Sequence, residues 1–422
     1  MLDIKFIKEN LDLMRKTIKD KRSSLDLDKL LGLYDKRSEL LTKVENLRAE
    51  KNKASKEIVN LKGDEKQNFL AKLKELDTEA DKLEAEFKIV DEEYQKLMWW
   101  VPLPPKPDAI VGGEEANKVL YQKGKVPQFD FTPKDHMQLG ADLGLIEFEA
   151  GVKLMGSRGY FLKDEAAVLQ FALIFYGLEF LRKRGFHQLD VPVLADERFF
   201  YGTGHLPFGG DEIFKATDKH KEFGLIGTAE IALLGYFADN VLKEEDLPIK
   251  VMAFSPCFRT EVGSYGRDTK GLYRLRQFYK VEQVIIAKND TQESMKLFGE
   301  ILKNSEDFLT SLDFPYQVLE LATGDMGAGK YHMYDIETYM PSRSKYSETH
   351  SCSFLGDWQA RRSNIRYTTK DGKKLYAHTL NNTLVATPRI LIPLLELNQQ
   401  KDGSIKVPQV LQKYTGFSEI RK

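Results

Sequence analysis

From about Leu40 to Leu97 apolar residues return every three or four positions, and no other feature narrows the fold as much. Leu40, Val44, Leu47, Ala54, Ile58 and Leu61 follow 4-3-7-4-3 spacing, with Lys51 filling the gap at a seam position. Phe69, Leu73, Leu76, Ala80, Leu83, Phe87, Val90, Tyr94 and Leu97 then keep a 4-3 alternation without a break. A sustained 3.5-residue period is that of a coiled coil, in which one stripe of each helix is buried against its partner. Gly63-Asp64 between the two runs supplies a reversal, which predicts an antiparallel hairpin rather than one rod.

Charge is uneven along this hairpin. Lys36–Lys62 holds eight bases and four acids, whereas Asp64–Lys96 holds six bases and eleven acids. The first helix has bases to present to phosphates; the same charges also suit two solvated helices that pair with each other. Over the whole chain 63 Lys and Arg meet 64 Asp and Glu, a net charge of −1. That excludes a globally basic nucleic-acid binder but not a local basic face. The 422 residues, 42% of them apolar, suffice for two or three domains. Cys257 and Cys352 are too few for a disulfide framework or a four-thiolate zinc site, so no zinc is expected. Uncharged runs such as Ala166–Leu178, 13 residues long, fall short of the roughly 20 a membrane helix needs. The N-terminal MLDIKFIKEN mixes acids with bases, unlike a signal or transit peptide. A soluble protein of a reducing compartment, with no membrane partner, is expected.

The segment WWVPLPPKPDAIVGG ends the helical pattern, because Pro102, Pro104, Pro105 and Pro107 cannot continue a helix. It reads as a stiff linker. Beyond it come alternating strand patterns, aromatics, scattered glycines and several helices, the composition of an α+β domain on an antiparallel sheet.

Gly324–Lys330 has the spacing of a phosphate-binding loop, but Tyr331 stands where Ser or Thr would hold magnesium, and YHMYDIETYM alternates like a strand where a helix should follow. The better candidate is VMAFSPCFRTEVGSYGRDTKGLYRLRQFYKVEQVIIA, a strand, a long glycine-containing loop and a returning strand. By alternation Arg259 and Glu261 share one face of the first strand, and Arg274, Arg276, Phe278 and Glu282 one face of the second. Such a cluster is either a solvated face of cross-strand ion pairs or a site whose ligand compensates its charges. In YSETHSCS, Glu348 and Ser351 are two oxygen donors three apart, a pattern open to a hard cation. TLNNTLVATPRILIPLLEL reads as a strand end, a polar turn at Asn381, Asn382 and Thr383, and a helix entered near Pro388 with Arg389 in its first turn. An arginine beside a helix N-terminus attracts anions; a surface arginine has the same pattern.

Jointly these segments resemble the seryl-tRNA synthetases, class II aminoacyl-tRNA synthetases, in their bacterial form. The likeness covers the helical arm, the VPLPP linker and the remainder of the chain. GFHQLDVPVLADERFF resembles the first class II motif, FRTEVGSYGRDTKGLYRLRQF the second and LNNTLVATPRIL the third. GTGHLPF, GTAE, ATGDMG and ETHSCSFLGDWQARR resemble further family blocks. Arg276 stands where the family commonly has histidine, and Leu384 where many relatives have glycine.

The resemblance implies a tRNA-binding domain over residues 1–100 with its hairpin at about 36–98, a linker at 101–115 and a class II catalytic domain over 116–422. It implies that Arg259 bridges the ATP α-phosphate and the serine carboxylate. Thr260, Glu261, Arg274 and Leu275 would help hold the nucleotide, with adenine between Phe278 and Arg389. Thr228, Ala229, Glu230, Glu282, Asn381 and Thr383 would contact serine, Glu282 through its amino group. Glu348, Thr349, His350 and Ser351 would contact ATP, and Glu348 and Ser351 would hold Mg2+. The expected reaction activates L-serine with ATP and transfers it to tRNA(Ser), and to tRNA(Sec), in a cytoplasmic homodimer. Two rivals are a related ligase delivering its amino acid to a carrier protein and a non-catalytic coiled-coil scaffold.

Overall fold

The computed structural model describes residues 1–58, 62–262 and 270–422. Two compact units divide the chain, Met1–Pro102 and Leu103–Lys422.

In the first unit α1 (Ile4–Glu9) and α2 (Leu11–Asp20) precede α3 (Leu27–Glu57) and α4 (Asp64–Trp99). Asp26 caps α3 by accepting from the Lys29 backbone N–H, and Gly63, at φ 61°, begins α4. Each seam position of α4 from Phe69 to Leu97 is buried or half-buried. Leu61 of the first run lies outside the described residues. The hairpin starts earlier than its heptads because Leu27 and Leu30 are buried at its base, where Lys8–Asp35 and Arg15–Asp28 tie α1 and α2 to α3. Lys51 at the seam pairs with Asp77 at 2.5 Å, and Lys36–Glu86, Arg37–Asp91 and Arg48–Glu84 also bridge the helices. The opposite charges of the two helices therefore meet largely across the hairpin. Lys43 pairs within its own helix with Glu39.

The second unit is built on eight strands: β1 (Lys118–Lys123), β2 (His187–Asp190), β3 (Ile249–Phe258), β4 (Gln277–Ala287), β5 (Tyr316–Glu320), β6 (His332–Met340), β7 (Lys345–Phe354) and β8 (His378–Thr387). Their order is β1-β5-β6-β7-β8-β4-β3-β2, antiparallel except for the β2–β3 pair. The Pro-rich segment is hydrogen-bonded into this unit, Leu103 N–H donating to Ala328 O and Lys106 N–H to Tyr331 O.

Strand alternation divides β4 cleanly. Val281 and Ile285 face a core shared with α5 (Asp164–Arg182) and α6 (Thr291–Ser311), through Leu173, Leu181, Ile301 and Phe308. On the other face Val284 and Ile286 pack with Leu233 and Leu234 of α7 (Ala229–Phe237). Nearer the start of β4, that second face carries Phe278, Lys280 and Glu282, which line a cavity instead. Gly177 lets α5 approach β8 closely, since a Cβ there would stand 3.2 Å from Leu384. Among the described residues no helix is long and apolar enough to cross a membrane.

Candidate active site

The cavity, about 250 Å³, lies over the central strands. Phe278, Lys280 and Glu282 of β4, Asn381 and Thr383 of β8, and Glu348, Thr349 and Ser351 of β7 supply one wall. Thr228 and Glu230 at the start of α7, Arg259 just beyond β3, Arg389, and Leu272–Leu275 close it.

Its charges are held by short local networks. Glu230 Oε1 accepts from Gln359 Nε2 at 2.6 Å and Asn381 Nδ2 at 2.8 Å. Burial works against its charge, but Lys330 and His205 hold its carboxyl below the ordinary value. Glu282 is buried and ion-paired with Lys280; burial raises its carboxyl and Lys280 opposes the rise. Arg259 rests over Phe278 at 5.3 Å from the ring centroid and donates to Gly227 O. Arg389 donates to Tyr273 O at 3.1 Å and to Glu348 O at 3.3 Å, and its guanidinium lies 4.5 Å from the Tyr273 ring centroid. Arg274 and Arg158 both approach Glu261 at 3.5 Å. Five cations, Arg259, Arg274, Lys280, Lys330 and Arg389, and four carboxylates, Glu230, Glu261, Glu282 and Glu348, line the cavity, a pattern that suits a ligand carrying phosphates, a carboxylate and an ammonium.

Residues three apart on a strand point to opposite faces, yet Glu348 and Ser351 both line the cavity. A bulge is the reason: Asp335 pairs with Ser351 and Ile336 with His350, but Glu337 pairs with Glu348, so Thr349 is the extra residue. Behind them Asp335 is half-buried, its shielded Oδ1 makes no hydrogen bond, and desolvation together with Glu348 pushes its carboxyl well up.

Three expected contacts are not at the cavity. His350 is buried in the sheet, its ring between Thr349 Oγ1 and Leu384 O, each at 2.8 Å. Thr260 donates its hydroxyl to Asp211 O at 2.6 Å, and Ala229 is packed in the apolar core beneath α7. The strand pattern also differs from its sequence reading. β3 stops at Phe258 and Glu261 sits at φ 57°, so Arg259 and Glu261 share no strand face, although both line the cavity. β4 begins only at Gln277; Tyr273 and Leu275 reach the cavity alongside Arg274, while Arg276 donates to Met155 O at 3.3 Å. Asn381, Asn382 and Thr383 form no turn but sit within β8, where Asn382 donates to Ile301 O and Ser305 Oγ. Arg389 precedes the following helix, Leu391–Leu397, instead of lying in its first turn. Phe278 lies under Arg259 and Tyr273 under Arg389. Residues 263–269, part of the glycine-containing stretch between β3 and β4, lie outside the described residues.

Lys280, Tyr273, His205 and Lys330 line the cavity without having been singled out. Period-two alternation from Phe278 to Glu282 would have found Lys280. Lys330 is the last residue of the rejected phosphate-loop spacing, and β6 follows it where that motif needs a helix.

The seryl-tRNA synthetase N-terminal domain family matches residues 1–104, and the class II core domain of the G, H, P, S and T tRNA synthetases matches residues 214–398. A serine–tRNA ligase of Deinococcus radiodurans is 42% identical over 421 residues, covering 100% of this chain and 99% of its own. One from Treponema denticola is 41% identical over 424 residues, with 100% of both chains covered. The crystal structure of seryl-tRNA synthetase from Pyrococcus horikoshii complexed with ATP superposes with a TM-score of 0.87 at 34% identity, covering 100% of this chain and 99% of that one. With a helical-arm unit, an antiparallel class II core and full-length relatives at this identity, the chain belongs to the seryl-tRNA synthetase family, the ATP-using ligases that join serine to tRNA.

Proposed function

We propose that the cavity over β4, β7 and β8 carries both steps, activation of L-serine by ATP and transfer of the seryl group to tRNA(Ser), and also to tRNA(Sec). The observation that carries this reading is the convergence of Arg259, Arg274, Arg389 and Lys280 with the buried carboxylates Glu230 and Glu282 in one cavity. Arg259 bridges the serine carboxylate and the α-phosphate, and the carboxylate attacks phosphorus in line while pyrophosphate leaves. The carboxylate is already ionised, so the protein's contribution is positioning and charge stabilisation. Glu282 receives the serine ammonium, with Thr228, Glu230, Asn381 and Thr383 around the amino acid. Glu230 Oε1 is already engaged, which leaves its second oxygen for the substrate. Arg274, with Glu261, and Leu275 hold the nucleotide, with adenine between Phe278 and Arg389. A site that hydrogen-bonds the serine hydroxyl rejects alanine by leaving buried polar groups unpaired.

Among the described residues no group of three or more His, Cys, Asp or Glu is placed to hold a metal ion. Glu348 and Ser351, brought to one face by the Thr349 bulge, still fit magnesium, which takes one or two protein oxygens and completes its shell from phosphate and water. Bound there, the ion neutralises phosphate charge.

We read the assembly as a homodimer. Val168, Phe171 and Phe175, spaced i, i+3, i+7 on α5, form an exposed apolar stripe, as a second copy would cover. The compartment is the cytoplasm, a reading supported by two buried free thiols. The test is charging of tRNA(Ser) and tRNA(Sec) transcripts with serine by the purified protein; failure to charge tRNA(Ser) overturns the reading.

A further inference from the structure

Outside the cavity, one buried polar cluster ends on a segment that lines it. Glu396, in the helix Leu391–Leu397, is fully buried, and His136, which opens the helix His136–Asp142, nearly so. Glu396 Oε1 accepts from the His136 backbone N–H at 3.0 Å and lies 2.8 Å from the ring Nδ1. The other ring nitrogen, Nε2, lies 3.2 Å from the backbone nitrogen of Leu272. A backbone N–H can only donate, so Nε2 is the acceptor and the ring proton sits on Nδ1, donated to Glu396. Gly271 makes room for this contact: it sits at φ 74°, and a Cβ there would stand 2.3 Å from Nε2.

The ring thus holds the start of Leu272–Leu275, the segment that closes the cavity. Next in the chain is Tyr273. Its carbonyl accepts from Arg389 Nε, its ring lies under the Arg389 guanidinium, and its hydroxyl donates to Glu348 O at 3.1 Å. The second oxygen of Glu396 accepts from Ser342 N–H at 2.9 Å, and the guanidinium of the neighbouring Arg343 lies 4.3 Å from the same Tyr273 ring centroid. One buried carboxylate therefore fixes the backbone that carries Tyr273, through a histidine, and a second arginine on its ring, through a turn.

We propose that His136 is a positioning residue for the nucleotide side of the cavity: its Nε2 fixes the Leu272 N–H, and with it Tyr273, so that Arg389 is held in place for ATP. The residues proposed for serine, Thr228, Glu230, Glu282, Asn381 and Thr383, stand on β4, β8 and the start of α7, away from the segment His136 holds. His136 therefore bears on one substrate and not on the other.

This inference rests on ATP lying against Arg389, and Arg389→Ala, which should raise the ATP KM, reports on that separately; an unchanged value there overturns that reading and the inference with it. The experiment measures the ATP and serine KM in pyrophosphate exchange for His136→Asn and His136→Gln in the full-length protein. Asparagine keeps a donor for Glu396 but puts no acceptor at the Nε2 position, whereas the glutamine amide oxygen reaches it. Gln399 binds both the N–H and the carbonyl of Lys134, at 2.8 and 3.0 Å, so the chain entering His136 stays anchored in either variant. Stranding the buried Leu272 N–H depopulates the arrangement that holds Tyr273, so the ATP KM should rise about tenfold in His136→Asn while the serine KM stays within about twofold. In His136→Gln both values should stay within about threefold of normal. Gly271→Ala tests the contact from its other side, since its methyl group displaces the ring, and the ATP KM alone should rise there too. An unchanged ATP KM in His136→Asn or Gly271→Ala, an equal rise in both KM values, or an equal effect of His136→Asn and His136→Gln overturns the proposal.

Discussion

Glu348 and Ser351 face one cavity although an odd spacing on a strand should part them, because Thr349 bulges out of the β6–β7 pairing. A carboxylate and a hydroxyl thus stand together at a place where β7 alone would offer only one. Glu348→Gln keeps the shape and the Arg389 contact at the backbone carbonyl but removes the carboxylate charge, and with it the ion pair to Arg389 at 3.7 Å. The magnesium concentration for half-maximal pyrophosphate exchange should rise about tenfold, the scale of one charge-assisted contact. An unaltered magnesium dependence would separate Glu348 from the ion.

Glu282, proposed above to receive the serine ammonium, is ion-paired with Lys280. Glu282→Gln should raise the serine KM by about tenfold to a hundredfold, the equivalent of about 1.5–3 kcal/mol, with the ATP KM nearly constant. Equal weakening of both substrates in steady-state exchange would make Glu282 a partner of Lys280 only.

His378 is buried, with Nδ1 2.9 Å from Ser294 Oγ, and burial holds its pKa at about 4 against an ordinary value of 6.5. The folded state disfavours the proton, so the unfolded state binds more protons between these values. The neutral ring's contribution is present above pH 6.5 and is lost as pH falls towards 4. From pH 7.5 to 5 the native protein should lose about 2 kcal/mol more than His378→Asn, which has no group to titrate there. Urea unfolding midpoints at the two pH values measure the difference, and parallel losses in both proteins would contradict it.

What could be read from the sequence follows from what each signal depends on. The heptads of α4 were legible because a seam is a local, periodic demand, met at every position from Phe69 to Leu97. Strand ends were not. Asn381–Thr383 has the composition of a turn, but its polar groups are satisfied by tertiary partners, Asn381 by Glu230 and Asn382 by Ile301 O. Alternation placed Phe278 and Glu282 correctly because β4 is regular there, and failed at Arg276 because that residue lies outside the strand. His350 could not be separated from Glu348 and Ser351 by spacing, since a bulge leaves no local signature in ETHS. His205 had no signal outside its family block, because the cavity it lines gathers residues distant in sequence.

The arm's bases are largely engaged by its own acids, Arg48 by Glu84 and Lys51 by Asp77, while Lys53 and Lys56 stand exposed near the tip. Replacing residues 47–83 with a short Gly-Ser loop keeps the base of the hairpin, where Tyr34 and Tyr94 pack with ring centroids 6.1 Å apart. Exchange should stay within about threefold of normal, while kcat/KM for tRNA falls about a hundredfold or more through lost phosphate and shape contacts. Efficient charging by the shortened protein would make the arm a spacer.

The central claim is that one cavity activates serine and no other amino acid. ATP–pyrophosphate exchange measured with each of the twenty amino acids tests it directly, with Arg259→Ala as the control. Serine alone should drive exchange above background, and Arg259→Ala should lower that rate about a hundredfold, as for other lost transition-state donors. Exchange driven better by another amino acid, or a serine rate untouched by Arg259→Ala in a folded protein, would contradict the account.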